Sequence, residues 1–452
     1  MTQSKRLFGT DGIRGIANLH PMVPEVLIRV GQALAILLKE VYPGDDIRIV
    51  IGRDTRISGP MIEDALAAGI CSQGGGVYLV GELPTPGIAF ITTAQRAHAG
   101  IVISASHNLY RDNGVKIFSS DGFKISDEWE NKIETFVESA SFAYESPREV
   151  KKIKLIKDSA GRYIEFLKNS FPKHLTLKGL KIILDCAHGA AYEVGPAVFE
   201  ELGGAPEVIF AEPNGMNIND QCGSTAPEKL SRRVLETGAD LGIAWDGDAD
   251  RIIAVDEKGI LRDGDYLMAI LAFSLYEKKK LSKETVVSTQ MSNLGLERAL
   301  KEGNIRLIRT EVGDRFVVEE MRKRHYNFGG EQSGHLIFLD DSTTGDGILS
   351  ALHLVSIIQE KQRSLSELSK VVQKIPQILL NVKVKEKKPF ETLANTSAKM
   401  KEIEKCLSGR GRLLVRYSGT ENLARVMIEG ENEMEIEKFA YDLAESLRGE
   451  LS

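Results

Sequence analysis

Four cysteines in 452 residues is a thin supply, and Cys71, Cys186, Cys222 and Cys406 form no CxxC pair. That spacing excludes a zinc knuckle or a disulfide framework and leaves buried free thiols as the reading. A basic excess is also missing. The formal net charge is −6, which argues against general nucleic-acid binding, although a few local arginines could still hold a phosphorylated small molecule. Long apolar runs are absent: a stretch such as Leu267 to Phe273 is far too short to span a bilayer. Met1 to Arg6 leads into Gly/Asp-rich sequence and not into an apolar h-region, so no signal peptide is expected and the chain reads as cytoplasmic. Three nucleotide and nucleophile signatures, GxxxxGK[ST], GxGxxG and GxSxG, are not found.

What is present is a chain with 42% hydrophobic and 27% charged residues, too long for one core, so three or four domains are expected. One pattern recurs three times: apolar strand, small-residue turn, amphipathic helix, glycine, strand. The copies run from Ile47–Ile51 through a helix near Gly59–Cys71 to Val77–Val80; from Lys181–Leu184 through Tyr192–Leu202 to Val208–Phe210; and from Thr285–Ser288 through Leu294–Glu302 to Ile305–Ile308. Such alternation predicts mostly parallel α/β sheets. The end of the chain differs, with a strand at Gln377–Val384, a helix over Phe390–Leu407, strands at Arg412–Arg416 and Ala424–Glu429, and a final helix with Ile436, Phe439, Ala440, Leu443, Ala444 and Leu447 on one face. Boundaries are expected in Ser146–Lys157, near Glu257–Gly259 and in Glu360–Gln373. These give domains over 1–150, 158–257, 258–370 and 374–452.

Four loops carry the chemistry. The apolar strand of Gly100–Ile103 ends in Ser104-Ala105-Ser106-His107-Asn108, a position where α/β domains place reactive groups, although a serine there also reads as a cap or turn residue. Asp112-Asn113-Gly114 reads as a tight turn returning Lys116 on the next strand. Asp246-Gly247-Asp248-Ala249-Asp250-Arg251 follows Leu241–Trp245. At ~4 Å and an effective dielectric of ~20, each like-charge pair there costs on the order of 4 kcal/mol. A divalent cation with all-oxygen ligation removes the conflict; neutralising Asp248 should likewise relieve the metal-free loop at little cost in stability. The rival EF-hand register, with Glu257 as last ligand, puts Arg251 where the sharp turn wants glycine, between flanks that read as strands. Gly329-Gly330-Glu331-Gln332-Ser333-Gly334-His335, with Thr343–Gly347 after it, fits hydroxyl recognition or an ordinary surface loop. Arg416-Tyr417-Ser418-Gly419-Thr420-Glu421, followed by Arg425, makes a phosphate nest or a plain turn. Taken together, a phosphate on Ser106 would need a cation at the aspartates, while a substrate phosphate sat on the Ser418 loop and the Glu331 loop held a sugar between them.

Gly9-Thr10-Asp11-Gly12-Ile13-Arg14-Gly15, the Ser106 loop, the three-aspartate loop, Gly330–His335 and Arg416–Glu421 occur in an order that resembles the α-D-phosphohexomutases across nearly the whole chain. Within that family the opening Phe8–Gly12, Gly330–His335 and Thr343–Gly347 resemble the bacterial branch acting on glucosamine phosphates. The resemblance implies a heart-shaped protein of three similar mixed-sheet α/β domains plus a smaller C-terminal α+β domain around a central cleft. It implies an isomerase that interconverts glucosamine 6-phosphate and glucosamine 1-phosphate through a phosphoserine, with glucosamine 1,6-bisphosphate as intermediate and activator, for amino-sugar nucleotide and cell-wall precursor synthesis. Ser106 matches the phosphoserine, and Asp246, Asp248 and Asp250, with the Ser106 phosphate, match the ligands of one Mg2+ per chain. Arg14, His107, Lys116 and Arg251 are similar to catalytic-site residues. Glu331, Ser333 and His335 match sugar contacts, and Arg416, Ser418, Gly419, Thr420 and Arg425 the distal phosphate site. The implied partners are a hexosamine phosphate and a second copy of the chain, with no nucleic acid and no membrane. Leu109 stands where the family usually has proline and Ala249 where this branch more usually has glycine; Tyr417 and Asn422 replace common prolines. The same chemistry on glucose or mannose phosphates, a calcium-binding module and a non-catalytic sugar-phosphate sensor are the competing readings.

Overall fold

The computed structural model describes residues 7–9, 11–139, 145–418 and 422–451. The described residues form four sheets, one in each of four domains. The first sheet runs in the order Ile13–Ile16, Asp112–Ser119, Ala99–Ile103, Arg48–Arg53, Gly76–Glu82, Ile153–Leu155; the second, Leu261–Arg262, Ile252–Asp256, Leu241–Trp245, Ile182–Asp185, Glu207–Ile209; the third, Arg306–Thr310, Thr285–Thr289, Phe328–Gly330, Leu336–Phe338. One four-strand motif is common to all three. A central strand pairs in parallel with the strand after its crossover helix and with the first arm of a hairpin, whose second arm returns antiparallel. The sheets are therefore mixed. Period-based reading recovers the parallel half, because β–α–β crossovers have a strong signature, and the hairpin arms of the first two sheets, and leaves Phe328–Gly330 and Leu336–Phe338 of the third unassigned.

Strands such as Leu241–Trp245 and Thr285–Thr289 are buried along their whole length, as expected where helices cover both faces. One apolar core runs through all three α/β domains, from Val50 and Phe118 through Tyr163 and Trp245 to Leu352 and Val372. The fourth domain, with its antiparallel sheet Gln377–Lys383, Leu423–Gly430, Gly411–Tyr417, keeps a core of its own around Val426, Leu443 and Leu447. Polar contacts join it to the third: Glu429 accepts from the backbone N–H of Leu294, and Arg412 donates to the carbonyls of Gln290 and Ser292.

Several expectations shift. The lysine-rich stretch 146–157 contains the edge strand Ile153–Leu155, paired with Gly76–Glu82. Lysines on an exposed edge strand resemble those of a linker while blocking further strand pairing. Glu257–Gly259 is a turn inside the second domain, since Leu261–Arg262 pairs back onto Ile252–Asp256, so the second sheet extends past 257. Asp112–Gly114 is not a turn; it begins the strand Asp112–Ser119 and pairs with Gly15, Ile16 and Arg14. The helix foreseen over Phe390–Leu407 begins at Ala394 after a single 3-10 turn, Phe390–Thr392. Cys71, Cys186 and Cys222 are buried free thiols, but Cys406 is exposed.

Candidate active site

The hairpin between the last two arms of each α/β sheet carries, in turn, Ser106, the three aspartates and Glu331. Equivalent topological positions thus carry three different sets of polar side chains. Ser106 sits at φ +51°, a left-handed conformation that costs a serine about 1–2 kcal/mol and persists where surroundings impose it. Those surroundings are explicit. The Ser106 carbonyl accepts from Arg56 Nη2 (3.1 Å) and Asn219 Nδ2 (2.9 Å), and the same two side chains also donate to the Asn108 carbonyl. Arg56, itself fully buried, is anchored on Asp54. Gly247 must be glycine in this packing, because a Cβ there would lie 2.7 Å from the Ser106 carbonyl oxygen. Leu109, half exposed in the same loop, gives it no rigidity; Arg56 and Asn219 do. Ser106 Oγ donates to Asp246 Oδ2 at 2.5 Å and lies 3.4 Å from His107 Nδ1.

Asp246, Asp248 and Asp250 are buried, and one carboxylate oxygen from each lies within 4.8 Å of the others. Their environments differ. Asp248 Oδ2 accepts from Thr85 Oγ1 (2.6 Å) and from Lys116 Nζ (2.9 Å), which also stands 3.3 Å from Asp250 Oδ2. Burial and Asp250 work against ionisation of Asp248, but Lys116 and Thr85 prevail and hold it below the usual carboxylate range. Asp250 is held well below that range, with Lys116, His335 and Arg251 outweighing burial. Asp246 is pushed well above it by burial and by Asp250 and Asp248. Asp248 Oδ1 has no hydrogen-bond partner, a costly state for a buried carboxylate oxygen. An all-oxygen cluster with an orphaned oxygen fits a hard divalent cation such as Mg2+. An EF-hand does not fit: the loop joins two strands, and Glu257 is bound to the hydroxyls of Ser364 and Ser366.

Lys116 remains charged because Asp11, Asp248 and Asp250 outweigh its burial. His107 is the opposite case: burial and the neighbouring Arg251 lower it to about 4, and Arg251 Nη1 lies 3.1 Å from His107 Nδ1. Arg14 leans on Asp11. His335 is fully buried, with Nδ1 3.5 Å from Asp250 Oδ1 and Nε2 3.5 Å from Asp314 Oδ2. Gly334, at φ +91°, lets the Glu331 loop lie on the backbone of the metal loop; a Cβ there would sit 1.9 Å from the Ile252 carbonyl oxygen. A cleft of about 470 Å³ opens beside it, lined by Arg251, Asp263, Thr289, Met291, Val312 and Glu331–Ser333. Burial raises the Glu331 carboxyl, against the pull of His335 and Arg251, and Ser333 Oγ is 3.5 Å from Glu331 Oε2.

The lining of this cleft includes none of Arg416, Ser418 or Arg425 of the fourth loop. Arg416 and Arg425 stand opposite each other across the Gly411–Tyr417 and Leu423–Gly430 strands. Lys387 Nζ, overlooked in the sequence, reaches the Ser418 carbonyl at 2.6 Å. Gly419 and Thr420 lie outside the described residues. Arg56, Asn219 and Thr85 also escaped sequence reading. Nothing local marks them, since each acts on a loop at least 50 residues away.

Four family models match the chain in order: Phosphoglucomutase/phosphomannomutase, alpha/beta/alpha domain I over residues 5–144, domain II over 161–259, domain III over 263–375, and the C-terminal domain over 379–446. A phosphoglucosamine mutase of Pelobacter propionicus is 53% identical over 449 residues, 99% of each chain. Another, of Desulfotalea psychrophila, is 54% identical over 447 residues, 98% of this chain and 99% of that one. Among solved structures, a phosphoglucomutase/phosphomannomutase family protein of Burkholderia thailandensis gives a TM-score of 0.82 at 21% identity, covering 98% of this chain and 97% of its own. The Aspergillus fumigatus N-acetylphosphoglucosamine mutase, in complex with GlcNAc-6P and magnesium, gives 0.68 at 18%, covering 99% and 96%. At those identities the structural likeness is one of fold.

Proposed function

The chain belongs to the phosphoglucomutase/phosphomannomutase family, and from that membership we propose that it is a phosphoglucosamine mutase, interconverting glucosamine 6-phosphate and glucosamine 1-phosphate. The observation that carries the reading is Ser106: a hydroxyl held in a strained loop by Arg56 and Asn219, 2.5 Å from Asp246, with Lys116 over the other two aspartates.

Phospho-Ser106 gives its phosphoryl group to the free hydroxyl of the sugar phosphate. The Oγ–P bond breaks as the new P–O bond forms, and the hydroxyl proton ends on Ser106 Oγ. His107, neutral and 3.4 Å from that oxygen, relays it. Lys116, which keeps its proton, stabilises charge on the transferring group together with Arg14 and Arg251. The 1,6-bisphosphate then turns in the cleft, and the other phosphoryl returns to Ser106. Asp246, Asp248 and Asp250 would hold Mg2+, which neutralises phosphoryl oxygens when bound. Glu331, Ser333 and His335 orient the sugar, and Arg416, Ser418, Gly419, Thr420 and Arg425 take the distal phosphate. Glu331 is the acidic group that favours an ammonium over a hydroxyl at carbon 2. The relatives named phosphoglucosamine mutase support that choice of sugar. A charge-assisted hydrogen bond of about 1.5–3 kcal/mol gives roughly ten- to two-hundredfold selectivity. A coupled assay comparing kcat/KM for glucosamine, glucose, mannose and N-acetylglucosamine 1-phosphates tests it; equal values, or a preference for glucose or mannose, would move the chain to another branch of the family.

A further inference from the structure

Lys124 has no part in the reaction as described, yet its part-buried side chain places the ammonium between carboxylates of two domains. Its Nζ lies 2.5 Å from Asp11 Oδ1 and 2.6 Å from Asp314 Oδ2. Asp11 precedes the first strand of the first domain, and Asp314 opens the helix Asp314–Arg324 of the third. The other oxygen of Asp11 holds Arg14 and stands 3.6 Å from Lys116 Nζ. Lys116 in turn lies 2.9 Å from Asp248 and 3.3 Å from Asp250. Charge therefore alternates along one path: Asp314, Lys124, Asp11, Lys116, Asp248 and Asp250.

Other polar contacts at this junction are ordinary. Arg315–Asp127 and Arg322–Asp121 each include a partner more than half exposed, and such pairs contribute little. Thr343 Oγ1 donates to the Gly122 carbonyl. Lys124 differs because one of its two partners is also a partner of Lys116. If Lys124 is removed, Asp11 has only Arg14 and Lys116 to balance it, and it faces Asp314 with no cation between them. The gap from Lys116 to Asp11 is short enough for a rotamer adjustment to close, and closing it draws the ammonium off Asp248 and Asp250.

We propose that Lys124 is a positioning residue: by sharing Asp11 with Lys116 it fixes the Lys116 ammonium over the aspartates, and through Asp314 it fastens the first domain to the third. This rests on the phosphoryl-transfer reading of the Ser106 cleft. A displacement of ~1 Å in a reacting constellation costs about a hundredfold, so Lys124→Met should lower kcat by about that factor while KM changes by less than about threefold. Because Lys124 acts through Asp11, adding Lys124→Met to Asp11→Asn should cost little beyond Asp11→Asn alone. Arg322→Ala, at the same junction, should turn over like the parent.

The experiment measures kcat and KM for these four variants with glucosamine 1-phosphate and saturating Mg2+. Beside it, brief labelling of the full-length proteins with acetic anhydride, followed by peptide mass spectrometry, reads the reactivity of the Lys116 amine. A change in Lys116 labelling in Lys124→Met, with strong non-additivity against Asp11→Asn, is the expected result. Unaltered Lys116 labelling, or losses in kcat that simply multiply, would leave Lys124 as a structural brace and overturn the proposal. If Lys124→Met fails to fold, Lys124→Gln, which preserves most of the packing, gives the same comparison. Should the parent show no turnover on any hexose phosphate, the phosphoryl-transfer reading fails, and the labelling still decides whether Lys124 sets the position of Lys116.

Discussion

Asp246 and Asp248 stand two residues apart, both buried, and neutralising them in metal-free protein should have opposite consequences. The ligand oxygens lie within 4.8 Å of one another, where a like-charge pair costs about 3.5 kcal/mol at an effective dielectric of about 20. On the same scale, Lys116 at 2.9 Å from Asp248 contributes nearly 6 kcal/mol, and the Thr85 hydrogen bond about 1 more. Asp250 is the carboxylate that opposes ionisation of Asp248, so one repulsive pair stands against both attractions, and attraction wins at Asp248. Among the described residues no lysine pairs with Asp246, whose carboxyl burial and the other two carboxylates push well above the usual range. Asp248→Asn should therefore destabilise the protein by about 2–3 kcal/mol, less than the full balance because the amide oxygen still accepts one hydrogen bond. Asp246→Asn should be neutral or stabilising by up to about 2 kcal/mol.

The two effects also depend on pH in opposite ways. A carboxyl raised in the fold contributes its stability fully below the unfolded value of about 3.9 and loses it as pH rises through the folded value. The advantage of Asp246→Asn should thus grow between pH 5 and pH 8. A carboxyl depressed in the fold contributes above about 3.9 and loses that contribution on acidification, so the deficit of Asp248→Asn should shrink toward low pH. Thermal melts of the three proteins at about pH 3.5, 5 and 8 with excess EDTA test this, the lowest pH for Asp248→Asn and the upper two for Asp246→Asn. If Asp248→Asn proved as stable as the parent at pH 8, Lys116 would not hold that carboxylate and the electrostatic account of the loop would be wrong.

Ser106→Ala should lose essentially all turnover while melting close to the parent, and phosphopeptide mapping should place the label on Ser106; label on Ser104 would reassign the nucleophile. Ala249, at φ +55° and fully buried, tests backbone strain. In Ala249→Gly the relief of about 1 kcal/mol is offset by the lost methyl and the freer unfolded chain, giving a melting change equivalent to less than about 1 kcal/mol. Ala249→Val should lose more than about 2 kcal/mol. Asp185, pushed by burial to about 7 against the backbone N–H groups of Ala187 and Gly223, adds stability below about pH 4 that is lost as pH rises through 7. Asp185→Asn should flatten that slope, by calorimetry at pH 5 and 8, even if it lowers stability throughout.

The four loops were legible because each concentrates its chemistry in a few contiguous residues, and because three of them end apolar strands. The crossover units were legible from period and punctuation. The arms of the third hairpin were not: Phe328–Gly330 and Leu336–Phe338, of three residues each, carry no measurable alternation. Nor were Arg56 and Asn219. A fully buried arginine whose partners are a carboxylate two residues away and carbonyls 50 residues away has the same local sequence as a solvated one.

The reversal at Asp248 shows where the limit lies. Spacing along the chain makes Asp246, Asp248 and Asp250 equivalent, and from that equivalence neutralising any one relieves the others. Lys116, 132 residues away on a strand of another domain, breaks the symmetry, and Thr85 at the start of the helix Thr85–Ala94 deepens the difference. The raised carboxyl is then Asp246, the one beside the Ser106 hydroxyl. One lysine does not balance the two depressed carboxylates, and the carboxyl beside the serine is the one whose ionisation a bound cation would favour. Chain spacing identifies what the loop can bind; the fold decides which of its three carboxylates faces the Ser106 hydroxyl.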